Sequence, residues 1–285
     1  MNTVATTGPT TSAAQQPTLS LRNGVTIPQL GLGVFRTPSG AETRRVVRDA
    51  IACGYRHIDT ARVYGNEADV AEGIRESGVV RGDVFVTTKI WNDDQGYDQT
   101  LRAFDGSLAR MRFDYVDLLL LHWPVPQKRL QSWRALEKLQ KEGRARAIGV
   151  SNFMPHHLRE LLAHCTQPPS VNQVELSPYL QQRDVCTLCN EDGIVVEAYS
   201  PLTKGARLTH PGLVRIAADV GKSPAQVLIR WGIQKRLVVL PKSTRPERLA
   251  ENFQALQFHL SEEHIATLDS FEEGLVTGWD PRKAP

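Results

Sequence analysis

The chain alternates between two periodicities, and it does so eight times. Short apolar runs of strand length are each followed by a segment whose apolar residues recur at helical spacing. The pattern predicts strands over Gln29–Val34, a run ending at Asp59, Val84–Lys89, Val116–His122, Ala145–Val150, Val171–Glu175, Ile194–Tyr199 and Leu237–Leu240. The helices between and after them are expected over Ala41–Ala52, Asn66–Glu76, Asp98–Met111, Leu130–Glu142, Pro155–His164, Arg183–Glu191, Pro224–Gln234 and Pro246–Ala255. The stretch between Tyr199 and Pro224 has room for one extra short helix. Strands that read as nearly continuous apolar runs suit a parallel sheet covered on both faces. A doubly wound sheet would usually carry GxGxxG after its first strand, and Gly31-Leu32-Gly33-Val34-Phe35-Arg36 breaks that pattern at the third glycine. The expected fold is therefore an α/β (β/α)8 TIM barrel. SLRNGVTI, two alternating runs around Asn23-Gly24, adds a type I′ β-hairpin that caps it.

The length of 285 residues suits a single barrel domain, here 19–285. Residues 1–18, rich in Thr, Ala, Gln and Pro, read as a flexible tail. They lack the apolar core of a secretory signal and the arginines of a transit peptide, so a cytoplasmic location is the default expectation. A net charge of +3 makes no case for nucleic acid or an anionic membrane as a main partner. No apolar run approaches the roughly 18 residues of a membrane span. Cys186 and Cys189 form a CxxC within one expected helix, and no second ligand pair stands at zinc spacing. They read as packing residues, with no metal site.

Barrels of this kind do their chemistry at the carboxyl ends of their strands. Those ends carry Asp59, Lys89 and His122, with Tyr64 in the loop just beyond Asp59. Strand alternation puts His57 with Asp59 on one face, Thr87 with Lys89, and Leu118 and Leu120 with His122. With these faces inward, Asp59, Lys89 and His122 crowd the top of the barrel. An unpaired lysine there would be costly to desolvate, which makes Asp59 its expected partner. The cation would favour tyrosinate and lower the pKa of Tyr64 from about 10. A phenol so placed is a general acid for carbonyl reduction, with His122 orienting the carbonyl oxygen.

A second cluster follows the last strand. Lys242, Ser243, Thr244 and Arg248 surround the start of a helix whose N–H groups are free, a setting that suits a phosphomonoester such as the 2′-phosphate of NADPH. Between the clusters stand Ser151, Asn152, Gln173, Tyr199 and Ser200. Amides and hydroxyls can hold a carboxamide and an aromatic ring can stack on a flat one, which outlines a nicotinamide site.

The segments GYRHIDTARVYGNE, TTKIW, LLLLHWP, AIGVSNF, VNQVELSPY, VEAYSPL and LPKSTRPERLAEN resemble the aldo-keto reductase family, over nearly the whole chain after the tail. The resemblance implies a barrel that binds NADPH extended, reduces aldehydes and ketones, and is commonly monomeric. It makes Tyr64 the proton donor, in a tetrad with Asp59, Lys89 and His122. It stacks Tyr199 on the nicotinamide and places Ser151, Asn152 and Gln173 at its carboxamide. Ser200, Pro201 and Leu202 would line the pyrophosphate path, with Lys242, Ser243 and Arg248 at the 2′-phosphate. Glu251 and Asn252 would face the adenine, and Phe35, Trp91 and Trp123 would wall the substrate pocket.

The chain departs from the family pattern at Ser177, often histidine, at Thr203, often glycine, and at Phe35, often tryptophan. The loop from Pro124 to Arg129 and the tail after Phe271 are short, as in the bacterial diketogluconate-reductase-like and glyoxal-reductase-like enzymes. That similarity implies an open pocket for small aldehydes, α-dicarbonyls or keto-sugars. Two other readings stay open: a Schiff-base aldolase using Lys89, and an NADPH-sensing module with negligible turnover.

Overall fold

The computed structural model describes residues 16–285 of the chain, so most of the tail expected over 1–18 lies outside the described residues. Its inner end is already part of the fold. Strand β1 begins at Thr18, and the Gln16 side chain bonds to the Leu30 carbonyl and to Arg56 N.

Eight parallel strands follow: β3 Leu32–Gly33, β4 His57–Asp59, β5 Phe85–Ile90, β6 Val116–Leu121, β7 Ala145–Ser151, β8 Val171–Glu175, β9 Val195–Tyr199 and β10 Val238–Leu240. They pair in chain order from β3 to β10, and a parallel bridge between Leu30 and Val239 brings the two ends together. Because successive strand residues face opposite ways, the apolar side chains divide into two cores. Phe85, Leu118, Leu120, Ala147, Val171, Val238 and Leu240 fill the lower barrel. Residues of opposite phase, such as Val86, Leu119, Leu121, Ile148 and Val150, pack outward against the helices.

Those helices are α1 Ala41–Cys53, α2 Glu67–Glu76, α3 Tyr97–Met111, α4 Arg129–Lys141, α5 Pro155–His164, α6 Arg183–Glu191, α7 Pro211–Asp219, α8 Pro224–Gln234, α9 Pro246–Phe253 and α10 Glu262–Asp269. Proline at the first helical position starts α5, α7, α8 and α9, where its missing N–H goes unneeded. Ser223 and Gln226 close a capping box on α8. Helix α7 is the extra helix expected between Tyr199 and Pro224. The expected βα pattern had no place for α10, whose polar sequence gives a weak apolar stripe. The first barrel strand is shorter than the six residues expected, since regular pairing persists only at Leu32 and Gly33.

The N-terminal cap is present, with a different turn. Strands β1 (Thr18–Ser20) and β2 (Thr26–Pro28) pair antiparallel, and Leu21 and Ile27 plug the barrel floor. A type I′ turn needs positive φ at both Asn23 and Gly24, but only Gly24 has it, at 82°. Gly24 N–H donates to Leu21 O at 2.9 Å and Leu21 N–H to Val25 O at 2.8 Å. This is the three-residue loop in which a single left-handed glycine ends a common turn. Cys189 is buried and Cys186 partly so, and burial pushes their thiols up to about 12 and 11, which fits packing rather than redox chemistry. No helix among the described residues is long and apolar enough to cross a membrane.

Gly149, inward on β7, shows how tightly the interior is closed. A Cβ there would lie 2.5 Å from Val171 O and 2.8 Å from Leu120 Cδ2. Gly149→Ala is expected to lower unfolding free energy by about 1–3 kcal/mol in urea titration, through overpacking against backbone that cannot yield.

Candidate active site

The four residues expected to act together converge at the upper rim. Asp59 is the last residue of β4 and Lys89 the penultimate residue of β5; both are buried. His122 follows β6 directly, with its N–H donating to Ile90 O. Tyr64 ends a 3₁₀ turn, Arg62–Tyr64, that Gly65 closes with φ 71°. Asn66 pins this loop: it accepts a hydrogen bond from the Thr60 hydroxyl at 2.8 Å and donates to Val34 O at 3.1 Å.

Lys89 Nζ donates to Asp59 Oδ1 and Oδ2 at 2.7 and 2.8 Å and to Thr60 O at 2.9 Å, and it lies 3.4 Å from the Tyr64 hydroxyl. Burial works against the ammonium, but Asp59, with help from Tyr64, outweighs it and raises the lysine pKa. An amine held charged in this way is a poor Schiff-base nucleophile. His122 is driven well below the usual histidine range by burial and then by the Lys89 charge, so its ring is neutral and carries one N–H. Its ring meets Tyr64 and Trp91 edge-on, with centroids 5.8 and 5.2 Å apart.

The Tyr64 pKa departs from expectation. Lys89 does lower it, but desolvation is the larger effect and the net direction is upward. Asp59 offsets part of the lysine's effect. The phenol therefore stays protonated through neutral pH, the form a proton donor needs.

The amide-and-hydroxyl set gathers beside this group. Ser151 and Gln173 are register partners on β7 and β8, and the Ser151 hydroxyl donates to Gln173 O at 2.9 Å. Asn152, in a left-handed conformation with φ 63°, donates to His122 O and accepts from the Tyr199 hydroxyl at 2.9 Å. Ser200 also has positive φ, so the chain turns sharply after both β7 and β9. Gln173 Nε2 is engaged downward, on Asp59 Oδ2 at 2.9 Å and Glu197 Oε2 at 2.6 Å, leaving Oε1 as the atom free to accept a carboxamide N–H. Ser200 and Leu202 are half-buried along the loop beyond, with Pro201 buried between them.

The basic cluster frames the start of α9 after β10. Lys242 and Arg248 are exposed, while the buried Ser243 hydroxyl accepts from Arg245 N–H at 3.1 Å. Thr244 and Glu251 are half-buried and Asn252 is buried. Exposed cations beside a helix N-terminus fit a phosphate group, and the half-exposed Tyr199 ring beside Asn152 fits a flat heterocycle. Phe35 packs against Tyr64 at 4.9 Å, while Trp91 and Trp123 stand at the rim.

Sequence reasoning assigned no role to five residues that the structure brings to this region. Arg45 on α1 donates to Thr244 O at 3.0 Å and so braces the loop after β10 from outside. Trp279, from the C-terminal segment, stands 6.4 Å from Trp91 and 6.0 Å from Trp123 by ring centroids. Glu175 delivers it by accepting from Thr277 N–H at 2.8 Å and Gly278 N–H at 3.0 Å. The short tail thus returns over the barrel mouth, for which strand periodicity holds no signal. The other two, His57 and Glu197, lie inside the barrel below Asp59 and Gln173. Strand alternation puts His57 on the face of Asp59, and the inward phase of Glu197 is equally readable.

Removing the lysine charge would leave a buried carboxylate unpaired. Lys89→Met is expected to cost about 3–5 kcal/mol of unfolding free energy near neutral pH. Most of it should return in the double variant Asp59→Leu with Lys89→Met, which removes both charges. Equal losses in the single and double variants, in parallel urea titrations, would rule out the ion pair as the cause.

Comparison with known proteins agrees with this geometry. Residues 29–273 match the Aldo/keto reductase family. The chain is 51% identical over 266 residues to a 9,11-endoperoxide prostaglandin H2 reductase of Trypanosoma cruzi (strain CL Brener), covering 92% of this chain and 94% of the relative. It is 48% identical over 264 residues to a glyoxal reductase of Bacillus subtilis (strain 168), covering 93% and 96%. A crystal structure of a Gox0644 mutant in complex with NADPH superposes with a TM-score of 0.90 at 41% identity, covering 95% of this chain and 99% of that one. The chain, with its parallel barrel and a rim carrying Asp59, Tyr64, Lys89 and His122, belongs to the aldo/keto reductase family.

Proposed function

We propose that this enzyme uses NADPH to reduce small aldehydes, α-dicarbonyls or keto-sugars to alcohols. The observation that carries the reading is the contact of Lys89 Nζ with both Asp59 oxygens and, at 3.4 Å, the Tyr64 hydroxyl, beside a neutral His122. When bound, the cofactor supplies hydride to the carbonyl carbon. The protein's part is to receive the oxygen on which negative charge develops. The single N–H of His122 orients that oxygen, and Tyr64 gives it a proton. Lys89 then faces the tyrosinate left behind and stabilises it, in a pocket dry enough for one charge to count. Asp59 keeps Lys89 charged and fixed in place throughout.

Ser151, Asn152 and Gln173 would hold the carboxamide, and Tyr199 would stack on the ring that carries it. Ser200, Pro201 and Leu202 would line the pyrophosphate, with Glu251 and Asn252 at the adenine. Lys242, Ser243, Thr244 and Arg248 would take the 2′-phosphate, on a loop braced by Arg45. Phe35, Trp91 and Trp123 would wall the substrate pocket, joined by Trp279. Such flat aromatic walls with few polar groups suit short, planar carbonyl compounds, and the glyoxal reductase relative acts on that chemical class by its name.

The test follows NADPH absorbance with methylglyoxal, a panel of aldehydes and keto-sugars. Tyr64→Phe should lower kcat by about 10²–10⁴-fold with the NADPH Kd retained. Full turnover by that variant would remove Tyr64 as proton donor. Arg248→Ala should weaken NADPH about tenfold, the loss of one charge-assisted contact, while NADH binding stays unchanged. Equal effects on both cofactors, by fluorescence quenching, would withdraw the 2′-phosphate assignment.

A further inference from the structure

Beneath the rim lies a polar layer that the proposed chemistry does not use. Glu197 on β9 is fully buried, two residues before Tyr199 and inward beside Gln173, its register partner on β8. The single Gln173 amide nitrogen donates to two carboxyl groups, Asp59 Oδ2 at 2.9 Å and Glu197 Oε2 at 2.6 Å. Among the described residues only one cation is near. Lys89 from β5 spends its three donors on Asp59 and Thr60, stands 3.4 Å from the Tyr64 hydroxyl, and makes no hydrogen bond to Glu197. His57 from β4 stands 3.6 Å from Glu197 Oε1, but burial drives the imidazole down to about 3, so the ring is neutral and the contact is no ion pair. Its Nε2 pairs with the Thr87 hydroxyl at 3.1 Å instead. Glu197 Oε1 is enclosed without any partner among the described residues. The neighbouring strand β10 offers only Val238 and Leu240 to the interior.

Two carboxyl groups sharing one amide and one ammonium cannot both remain ionised in a dry interior. We propose that Glu197 is a positioning residue for proton transfer: held as a neutral carboxylic acid under the Gln173 amide, it leaves Asp59 the sole anion facing Lys89. This rests on Tyr64 being the proton donor. Burial and then the Asp59 charge push the Glu197 carboxyl up to about 8, which places its ionisation just above neutral pH. Once ionised, Glu197 puts a second negative charge beneath Lys89. That charge holds the Tyr64 proton more tightly and opposes the tyrosinate that alcohol oxidation needs.

The linkage to stability has a definite sign. The folded carboxyl titrates above its ordinary value of 4.5, so folding takes up a proton between there and about 8. The contribution of Glu197 to stability is complete below that window and is lost as pH rises through it. Glu197→Gln, neutral at every pH and able to accept from the same amide, removes this slope.

The decisive experiment pairs infrared titration with a pH profile. In the wild-type enzyme, the carbonyl stretch of a protonated carboxylic acid should be present at neutral pH, vanish above about pH 8, and be missing from Glu197→Gln. The apparent pKa of alcohol oxidation should fall by about one pH unit in Glu197→Gln, the effect of a neighbouring like charge removed. A wild-type enzyme without the protonated-acid band at neutral pH overturns the proposal, whether or not the variant folds. Superimposable oxidation profiles overturn it too. Retained turnover in Tyr64→Phe instead overturns the proton-donor reading, and with it the catalytic role given to Glu197, while the infrared band still reports the protonation state by itself.

Discussion

The site depends on a lysine ammonium taken out of water. Lys89 is fully buried, and a lone charge in such a place would deprotonate or force the strand ends apart. Asp59 prevents this with two short hydrogen bonds, and the Thr60 carbonyl satisfies the remaining donor. Much around the pair serves to keep it there. Asn66 fixes the loop that carries Tyr64, Gln173 holds the outer Asp59 oxygen, and the apolar floor excludes water from below.

The pair also explains why Tyr64 does not become strongly acidic in the resting enzyme. Asp59 offsets part of the lysine's field at the phenol, and desolvation outweighs the rest. In the proposed reaction Lys89 would matter more once negative charge has moved onto the tyrosine, which is how a site favours the transition state over the ground state. A permanently ionised Tyr64 would have no proton to give.

Polar groups inside a barrel are costly, and this interior distributes that cost by layer. The floor is apolar. The middle layer holds His57, Thr87 and Glu197 as neutral or hydrogen-bonded groups, and the rim carries the Asp59–Lys89 ion pair. Charge is therefore concentrated at the rim, where the proposed substrate would arrive. The wall above is completed by Trp279, which Glu175 holds across the mouth through two backbone N–H groups.

Much of this was legible in the sequence. Period-2 and period-3.6 patterns placed all eight strands, most helices and the rim residues Asp59, Lys89 and His122, because burial on both faces of a parallel sheet leaves a strong local signal. What failed was whatever depends on residues far apart in the chain. The hairpin turn was misread because Asn23-Gly24 permits more than one loop, and packing against the barrel floor selects among them. The Tyr64 shift was misjudged in sign because desolvation is set by neighbours and not by motif. Helix α10, the brace from Arg45 and the return of Trp279 all rest on contacts across the fold. The sequence by itself determined which side chains could meet at the rim. Only the tertiary structure decided how dry that meeting place is and how many charges it can hold, since desolvation and pairing are properties of the assembled interior.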